Sequence, residues 1–355
     1  MNLNRVSINT ALPQKPKGRI LIIYTGGTFG MTYDEQGVLV PFDFSAIIDQ
    51  LPTLRNLALE LTVVSFETPI DSSNIIPEHW QVLSRIVYQH YDTHDGFVVL
   101  HGTDTMAYTA SALSFMLEGL NKPVIFTGAQ LPIMEPRSDA RENLITALDF
   151  ALAKNKHGQP MVPEVCIYFD YELLRGNRSK KVESMQFDAF DSGNYPPLAK
   201  AGVKIDYNHS VIRGYEPEAK LMLHSNFDAN ISILKLFPGI TANAVEAILN
   251  TADLKAVILE TYGSGNAPTS PSLLNALKRA VDRGVIVLNI SQCPGGMVMQ
   301  GKYQTSLELQ QIGVIGGADM TTEAAVTKLM ICLGEYGAEK TKALLSKSLS
   351  GELTE

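Results

Sequence analysis

Residues 20–32 read ILIIYTGGTFGMT, an apolar run that ends in Thr25-Gly26-Gly27-Thr28. The apolar part predicts a buried parallel strand. The glycines permit a tight turn that a ligand can approach closely, and the threonines place hydroxyl groups at the carboxyl end of the strand, where open α/β sheets bind ligands. Taken alone, the stretch is more typical of a strand followed by solvated threonines, and it lacks the spacing of a phosphate-binding loop.

The 355-residue chain is 45% hydrophobic and 19% charged, and its formal net charge is −8. This composition is typical of a globular protein with a sizeable core, and the length predicts two domains. No basic stripe is present, so nucleic acid is not an expected partner.

The redox state and location of the protein are predicted from its cysteines and its first residues. Cys166, Cys293 and Cys332 are odd in number and far apart, so we interpret them as reduced residues rather than as a disulfide framework or a zinc site. The N-terminus lacks the apolar segment of a signal peptide, and no apolar run reaches membrane-spanning length. The sequence therefore predicts a cytoplasmic protein with no membrane partner.

Apolar runs and helical patterns alternate over residues 18–169, which predicts a doubly wound α/β domain with a mostly parallel sheet. A second alternation begins at Ile231. We expect an N-terminal catalytic α/β domain over 1–209, a linker over 210–230 and a smaller C-terminal α/β domain over 231–355.

Three parts of the chain carry other signals. Residues 1–17 are polar and predict a loose or edge-packed arm. Residues 170–230 show few regular patterns. Near the C-terminus the pattern predicts two helices, at 322–335 and 338–348.

Four successive predicted strands each end in a cluster of small polar residues. In a parallel sheet these ends lie on one edge, so their hydroxyl, amide and carboxyl groups are expected to meet in one crevice. Four solvated turns would look similar individually, but four together favour a ligand site. The clusters are Thr25–Thr28, Asp71–Asn74, Gly102–Thr105 and Thr127–Gln130.

A threonine hydroxyl on such a turn is a candidate nucleophile, but it needs a base that a third group holds in place. His101 is one candidate base, although it is as easily a hydrogen-bonded structural residue. The alternative is a lysine whose pKa burial lowers, paired with the hydroxyl of Thr103 and the carboxylate of Asp104. Residue patterns alone do not choose that lysine.

The glycine turn Thr25–Thr28 and the segment His101–Met106, each after a strand, resemble the two signature segments of the L-asparaginase/glutaminase family. The lack of a signal peptide and the Gly30-Met31 pair make the chain most similar to the cytosolic type I L-asparaginases. The similarity covers nearly the whole chain. It continues through residues 127–130, 190–194, 263–268 and 316–321.

The resemblance implies that the protein hydrolyses L-asparagine to L-aspartate and ammonia through a β-aspartyl ester on Thr28. Thr103, Asp104 and Lys181 would support this nucleophile. The resemblance allows a weak glutaminase activity, and it implies neither a metal nor a cofactor. It also implies a homotetramer built as a dimer of dimers.

The supporting lysine and the substrate contacts follow from the same resemblance. Counting back from residues 190–192 indicates Lys181 rather than Lys180. The amides of Gly27 and Thr103 would hold the oxyanion. The residues implied in substrate binding are Gly27, Asp71, Ser72, Gly102, Ala129 and, reaching the site of a neighbouring subunit, Asn266.

One position departs from the family pattern. Family members carry a tyrosine on a lid after the nucleophile, and here the corresponding position is Val38. Residues 31–37 are polar and end in glycine, which predicts a mobile lid beside the turn. Tyr33 is therefore a candidate lid residue, against the alternative of an exposed surface aromatic.

Two further functions remain open at this point. An asparaginase-like subunit of a tRNA-dependent amidotransferase would carry an additional N-terminal domain, for which the first strand at residue 18 leaves no room. A non-catalytic amino-acid sensor could share the fold. The presence of Thr28, Thr103, Asp104 and Lys181 argues against the sensor.

Overall fold

The computed structural model describes residues 3–11, 15–33, 39–41, 54, 57–302 and 304–355. The chain divides into two compact units. Unit 1 contains Met1–Ser192 and Pro196–Leu223, and unit 2 contains Gly193–Tyr195 and His224–Glu355. The division after Leu223 falls within the predicted linker 210–230.

Unit 1 is built around five parallel strands. Numbered by their order along the chain, these strands lie across the sheet in the order 2-1-3-4-5. The second strand is therefore added on one side of the first strand, and the later strands are added on the other side. Such a reversal is the place where open α/β sheets bind ligands. The strands are β2 (Arg19–Tyr24), β5 (Glu60–Phe66), β6 (Gly96–Leu100), β8 (Val124–Thr127) and β9 (Val165–Phe169).

The strands are formed by the apolar runs of the sequence because the sheet buries their side chains. Every residue of β6, β8 and β9 is buried, as expected for strands covered on both faces. Between the strands lie α1 (Pro77–His90), α2 (Met106–Met116) and α3 (Ala140–Leu152). Helix α1 begins at a proline, which suits the first turn, and buries Trp80, Leu83 and Val87 on one face, as the sequence predicts.

Antiparallel strands extend both edges of this sheet, which has nine strands in the described part of the chain. One edge is β1 (Leu3–Asn9), an edge-packed arm that pairs with β5 although most of its residues are exposed. The other edge lies in the region that showed few regular patterns. It consists of β10 (Glu172–Arg175), β13 (Ala199–Ala201) and β14 (Ile205–Tyr207).

The described part of unit 1 also contains three short antiparallel pairs. One contains β11 (Lys180–Lys181) and β12 (Phe190–Asp191). The others pair β3 (Met31–Tyr33) with β4 (Leu39–Pro41) and β7 (Leu117–Glu118) with β15 (Met222–Leu223). Residues 31–33, predicted as part of a mobile loop, thus form a strand, whereas residues 34–38 lie outside the described set.

Unit 2 contains a parallel sheet of β16 (Ile231–Lys235), β17 (Ala256–Thr261), β18 (Ile286–Ser291) and β19 (Ile315–Gly316), in that order. The larger and smaller α/β units confirm the predicted fold class. The helices are α4 (Ala242–Leu249), α5 (Pro271–Asp282), α6 (Gln304–Gln311) and α7 (Thr322–Leu344), and α7 is interrupted at Gly337, where φ is 73°, between the two predicted helices. No helix in the described residues is long and apolar enough to span a membrane.

Candidate active site

The turn after β2 lies in direct contact with the turns after both neighbouring strands. Gly26 and Gly27 have φ values of 131° and 85°. A Cβ atom on Gly26 would lie 2.3 Å from the carbonyl oxygen of Ile70, and one on Gly27 would lie 2.5 Å from the Cα of Gly102. Both the backbone conformation and the close contacts therefore require glycine. The predicted convergence of these clusters is observed.

The turns after β5 and β6 are also locked together. A Cβ atom on Gly102 would lie 2.6 Å from Ser72 Oγ, and Thr105 Oγ1 donates a hydrogen bond of 2.7 Å to the Ser72 carbonyl. Ser72 is buried, whereas the neighbouring Asp71 is exposed and its carboxylate accepts from the amide of Ser73. A charged group and a hydroxyl thus lie next to each other beside the glycine turn.

Thr28 is half-buried and begins a short 3₁₀ turn that ends at Gly30. Beneath this turn Phe29 is fully buried. Tyr24, the last residue of β2, donates from its hydroxyl to the Gly30 carbonyl at 3.2 Å, and burial raises the pKa of Tyr24. The candidate nucleophile therefore lies on a turn that the core supports from below.

Lys181 connects the two polar residues that follow β6. Its Nζ donates to Thr103 Oγ1 at 2.7 Å and to Asp104 Oδ1 at 2.7 Å. The Lys181 side chain is 18% exposed and that of Asp104 60%. Strand β11 carries Lys181 and pairs it with Phe190 of β12, the segment from which the lysine was counted. The structure thus brings Thr103, Asp104 and Lys181 together.

Gln130 has a place in this group that the sequence interpretation missed. Thr103 Oγ1 lies 3.4 Å from Gln130 Oε1, while Gln130 Nε2 donates to the Gln186 carbonyl at 2.8 Å. Gln130 therefore links Thr103 to the segment between β11 and β12. The available signal was its place next to Ala129 in the fourth polar cluster.

His101 is fully buried and occupied by structural hydrogen bonds. The Gly102 carbonyl can only accept, so the neutral ring carries its hydrogen on Nδ1, and Nε2 accepts from Thr109 Oγ1 at 3.0 Å, while Trp80 Nε1 donates to the same hydroxyl. Nδ1 donates to the Gly102 carbonyl at 2.7 Å. Burial lowers the pKa of His101 to about 4. This geometry favours the structural interpretation of His101 over the base.

The other predicted site residues occupy separate positions. Ala129 is buried in the turn after β8, where Asn143 Nδ2 holds the Gly128 carbonyl at 3.0 Å. Asn266 belongs to unit 2, in the loop after β17. Tyr33 ends β3, paired through its backbone with Leu39, but its side chain lies outside the described residues, as does Val38.

Across the described ranges, no group of three or more His, Cys, Asp or Glu side chains is arranged to hold a metal ion. The chemistry that this site offers comes from hydroxyl groups, an amine, a carboxylate and backbone amides.

Comparison with known proteins gives matches along nearly the whole chain. Residues 19–213 match the model of the asparaginase N-terminal domain, and residues 230–344 match the glutaminase/asparaginase C-terminal domain. L-asparaginase 1 of Escherichia coli K12 is 43% identical over 341 residues, which are 95% of this chain and 98% of that protein. The crystal structure of L-asparaginase I from Vibrio cholerae superposes with a TM-score of 0.85 at 39% identity, covering 95% of this chain and 99% of that one.

A longer relative is similar over the same range. The 60 kDa lysophospholipase of Homo sapiens is 42% identical over an alignment that covers 96% of this chain and 62% of that protein. The chain therefore spans less than two thirds of that relative's length.

Proposed function

Since this chain belongs to the asparaginase family, we propose that it hydrolyses the side-chain amide of L-asparagine to give L-aspartate and ammonia. The observation that carries the proposal is the position of Lys181 Nζ, 2.7 Å from both Thr103 Oγ1 and Asp104 Oδ1. An amine held between a hydroxyl and a carboxylate is suited to moving a proton, which amide hydrolysis by threonine requires.

In the first step Thr28 Oγ1 attacks the amide carbonyl carbon of the substrate. The new C–O bond forms, the C–N bond breaks, and ammonia leaves with the proton that the threonine hydroxyl loses. The amides of Gly27 and Thr103 stabilise the negative oxygen as it develops. The Ala129 carbonyl accepts a hydrogen bond from the amide nitrogen and so orients the leaving group.

In the second step water hydrolyses the β-aspartyl ester. Thr103 Oγ1 takes a proton from the water as it attacks the ester carbon and passes its own hydrogen to the Lys181 amine, which Asp104 holds in place. The bond between that carbon and Thr28 Oγ1 then breaks, and Thr28 Oγ1 takes back the proton through Thr103 and Lys181. The site is restored, and L-aspartate leaves.

The charged groups of the substrate's α-carbon would bind at the turn after β5. We assign the α-ammonium group to the exposed carboxylate of Asp71 and the α-carboxylate to the hydroxyl of Ser72. Gly102 supports this arrangement because its missing side chain leaves room for Ser72 Oγ. Binding at both α groups positions the amide for attack, so a shorter amide without them is a poor substrate.

The proposal includes the assembly and location that the family resemblance implies. The protein would be a cytoplasmic homotetramer, a dimer of dimers, in which Asn266 completes the site of a neighbouring copy. Burial raises the pKa of Cys166 and Cys332, which keeps both thiols protonated and unreactive, as suits a reducing compartment.

Ammonia release from the purified chain tests the proposal. We expect rapid release from L-asparagine and weaker release from L-glutamine, without an added partner subunit or nucleic acid. A lysophospholipid serves as a second substrate, because one similar protein is a lysophospholipase. Fatty-acid release without ammonia release from asparagine would contradict the proposed function, as would ammonia release that requires an amidotransferase partner.

A further inference from the structure

The loop that carries Asn266 is closed on itself by its own backbone. The Tyr262 amide donates to the Asn266 carbonyl at 2.9 Å, and the Asn266 amide donates back to Tyr262 at 2.9 Å. Gly263 and Gly265 have φ values of 50° and 101°. A Cβ atom on Gly265 would lie 2.8 Å from the side chain of Val298, so this turn requires glycine.

Two side chains of β18 hold the loop from the sheet. Ser291 Oγ donates to the Gly263 carbonyl at 2.6 Å and accepts from the Cys293 amide at 3.1 Å. Asn289 Nδ2 donates to the Gly265 carbonyl over a longer distance, 3.4 Å. The carbonyl between these two, that of Ser264, accepts from the backbone of residue 299 at 3.0 Å. Three successive loop carbonyls are therefore held from outside the loop.

The orientation of the Asn289 amide is determined by its other contacts. The residue is fully buried, and Thr261 Oγ1 donates to its Oδ1 at 2.6 Å. The NH₂ group must then face the other way, towards the Gly265 carbonyl and Gln300 Oε1, which lies at 3.2 Å. A buried amide with these partners is costly to rotate, because rotation leaves buried polar atoms unpaired.

We propose that Asn289 and Ser291 are positioning residues, which preset the Tyr262–Ala267 loop so that Asn266 completes the site of a second copy of this chain. The inference rests on the proposed function. A residue that must reach into another copy gains most when its loop is ordered before association, because the ordering entropy is then not lost on binding. Every contact named above lies within unit 2, so the loop is set by one copy alone.

Substitution of the two residues tests the inference through steady-state kinetics. Asn289→Asp keeps the shape but places an acceptor against the Gly265 carbonyl, and Ser291→Ala removes one hydrogen bond while leaving the buried Asn289 intact. We expect both variants to lower kcat/KM for asparagine, Asn289→Asp by up to about 100-fold, since small displacements of a positioning group have effects of this size.

A matched control separates positioning from stability. Thr327 is also fully buried in unit 2, but its hydroxyl donates within α7, to the Glu323 carbonyl at 2.8 Å. Thr327→Ala should lower the melting temperature and leave kcat and KM unchanged. If both test variants kept kcat/KM within about twofold of wild type, the positioning role would be overturned while asparagine hydrolysis by the wild type stood.

Mixed oligomers test whether the loop acts in a second copy. A Thr28→Ala chain has an intact loop but no nucleophile, whereas an Asn289→Asp chain has the nucleophile and a disturbed loop. Co-expressed with different affinity tags and purified through both, the mixed tetramers should be clearly more active than either parent variant, because each dimer that pairs the two kinds of chain has one site that receives both intact parts. Mixed tetramers no more active than the two parent variants would overturn the action in a second copy. A wild-type protein that releases no ammonia from asparagine would instead contradict the proposed function itself.

Discussion

Lys181 and Thr103 lie 78 residues apart in the chain, yet Lys181 Nζ is 2.7 Å from the Thr103 hydroxyl oxygen. The contact joins the turn after β6, a central parallel strand, to β11, a two-residue strand that does not belong to the main sheet. The neighbouring Lys180 pairs with Asp191 in the same short ladder, so the two lysines occupy successive positions of one strand. Side chains at successive strand positions point to opposite faces.

This alternation predicts different outcomes for the two lysines. Lys181→Met removes the amine between Thr103 and Asp104 and should lower kcat for asparagine by at least about 100-fold, because general-base contributions are of this order. Lys180→Met, the matched control, should keep kcat within about threefold of wild type, since it changes only a partly exposed neighbour. Ammonia release measures both, and equal losses would contradict the assignment of Lys181.

The second prediction concerns the contact between Gly27 and Gly102. Gly27→Ala combines a positive φ with a Cβ atom 2.5 Å from the Gly102 Cα, so the turns after β2 and β6 must separate. Gly158→Ala is the matched control, because Gly158 also has a positive φ, 75°, but has no atom within 4 Å of the added Cβ. The control should lose about 1–2 kcal/mol of unfolding free energy and should keep its activity.

Urea unfolding and ammonia release distinguish the two glycine variants. Gly27→Ala should lose more unfolding free energy than the control and nearly all of its activity. Equal stability and equal activity in the two variants would show that the contact between the turns does not shape the site.

The third prediction is a dependence of stability on pH through His101. Burial lowers its pKa in the folded protein from 6.5 to about 4. Above about pH 6.5 the ring is neutral in both states and its contribution is fully present. As the pH falls from there towards 4, the unfolded chain takes up a proton that the folded protein does not, so stability is lost.

The comparison of wild type with His101→Gln isolates this contribution. Burial also lowers the pKa of His79 and His94, but both proteins retain these two residues. Unfolding free energies measured across this range should fall more steeply towards acid for wild type than for the variant. If the unfolding free energies of the two proteins fell in parallel towards acid pH, the lowered pKa of His101 would be contradicted. A kcat profile whose rise near pH 4 disappears in His101→Gln would make His101 the base instead.

Sequence patterns predicted the parts of the fold that are locally determined. The apolar runs gave the central strands, and the parallel topology correctly predicted that the turns containing Gly27, Ser72 and Gly102 meet. Both family models confirm the resemblance that the signature segments carried. These features are encoded by short stretches of sequence, or they follow from the rule that the carboxyl ends of parallel strands lie on one edge of the sheet.

The parts that were missed depend on distant partners. The edge-packed arm predicted for residues 1–17 is present, but its strand Leu3–Asn9 was not predicted, because this mostly exposed strand depends on pairing with β5. The hairpin from β9 to β10 turns at Asp170-Tyr171, both with positive φ, without the glycine that usually marks such a turn. Likewise the Gln130 contact with Thr103 depends on tertiary packing, so its place in a motif did not show its role.

The fourth prediction concerns Tyr33, at the end of β3 and before residues 34–38. If its hydroxyl reaches the nucleophile when the lid closes, Tyr33→Phe should lower kcat far more than it changes KM, because the hydroxyl then acts mainly in the transition state. Tyr171→Phe removes an equivalent hydroxyl from a side chain that is 56% exposed and should change neither constant. An unchanged kcat for Tyr33→Phe would identify Tyr33 as a surface aromatic.

The proposed mechanism depends above all on the Thr28 hydroxyl as its nucleophile. Its most direct test is ammonia release from L-asparagine by purified Thr28→Ala, with the melting temperature measured on the same sample. We expect a folded protein whose kcat is at least about 1,000-fold below wild type, because the step that forms the ester has no substitute. A folded Thr28→Ala protein with kcat within about tenfold of wild type would contradict this mechanism.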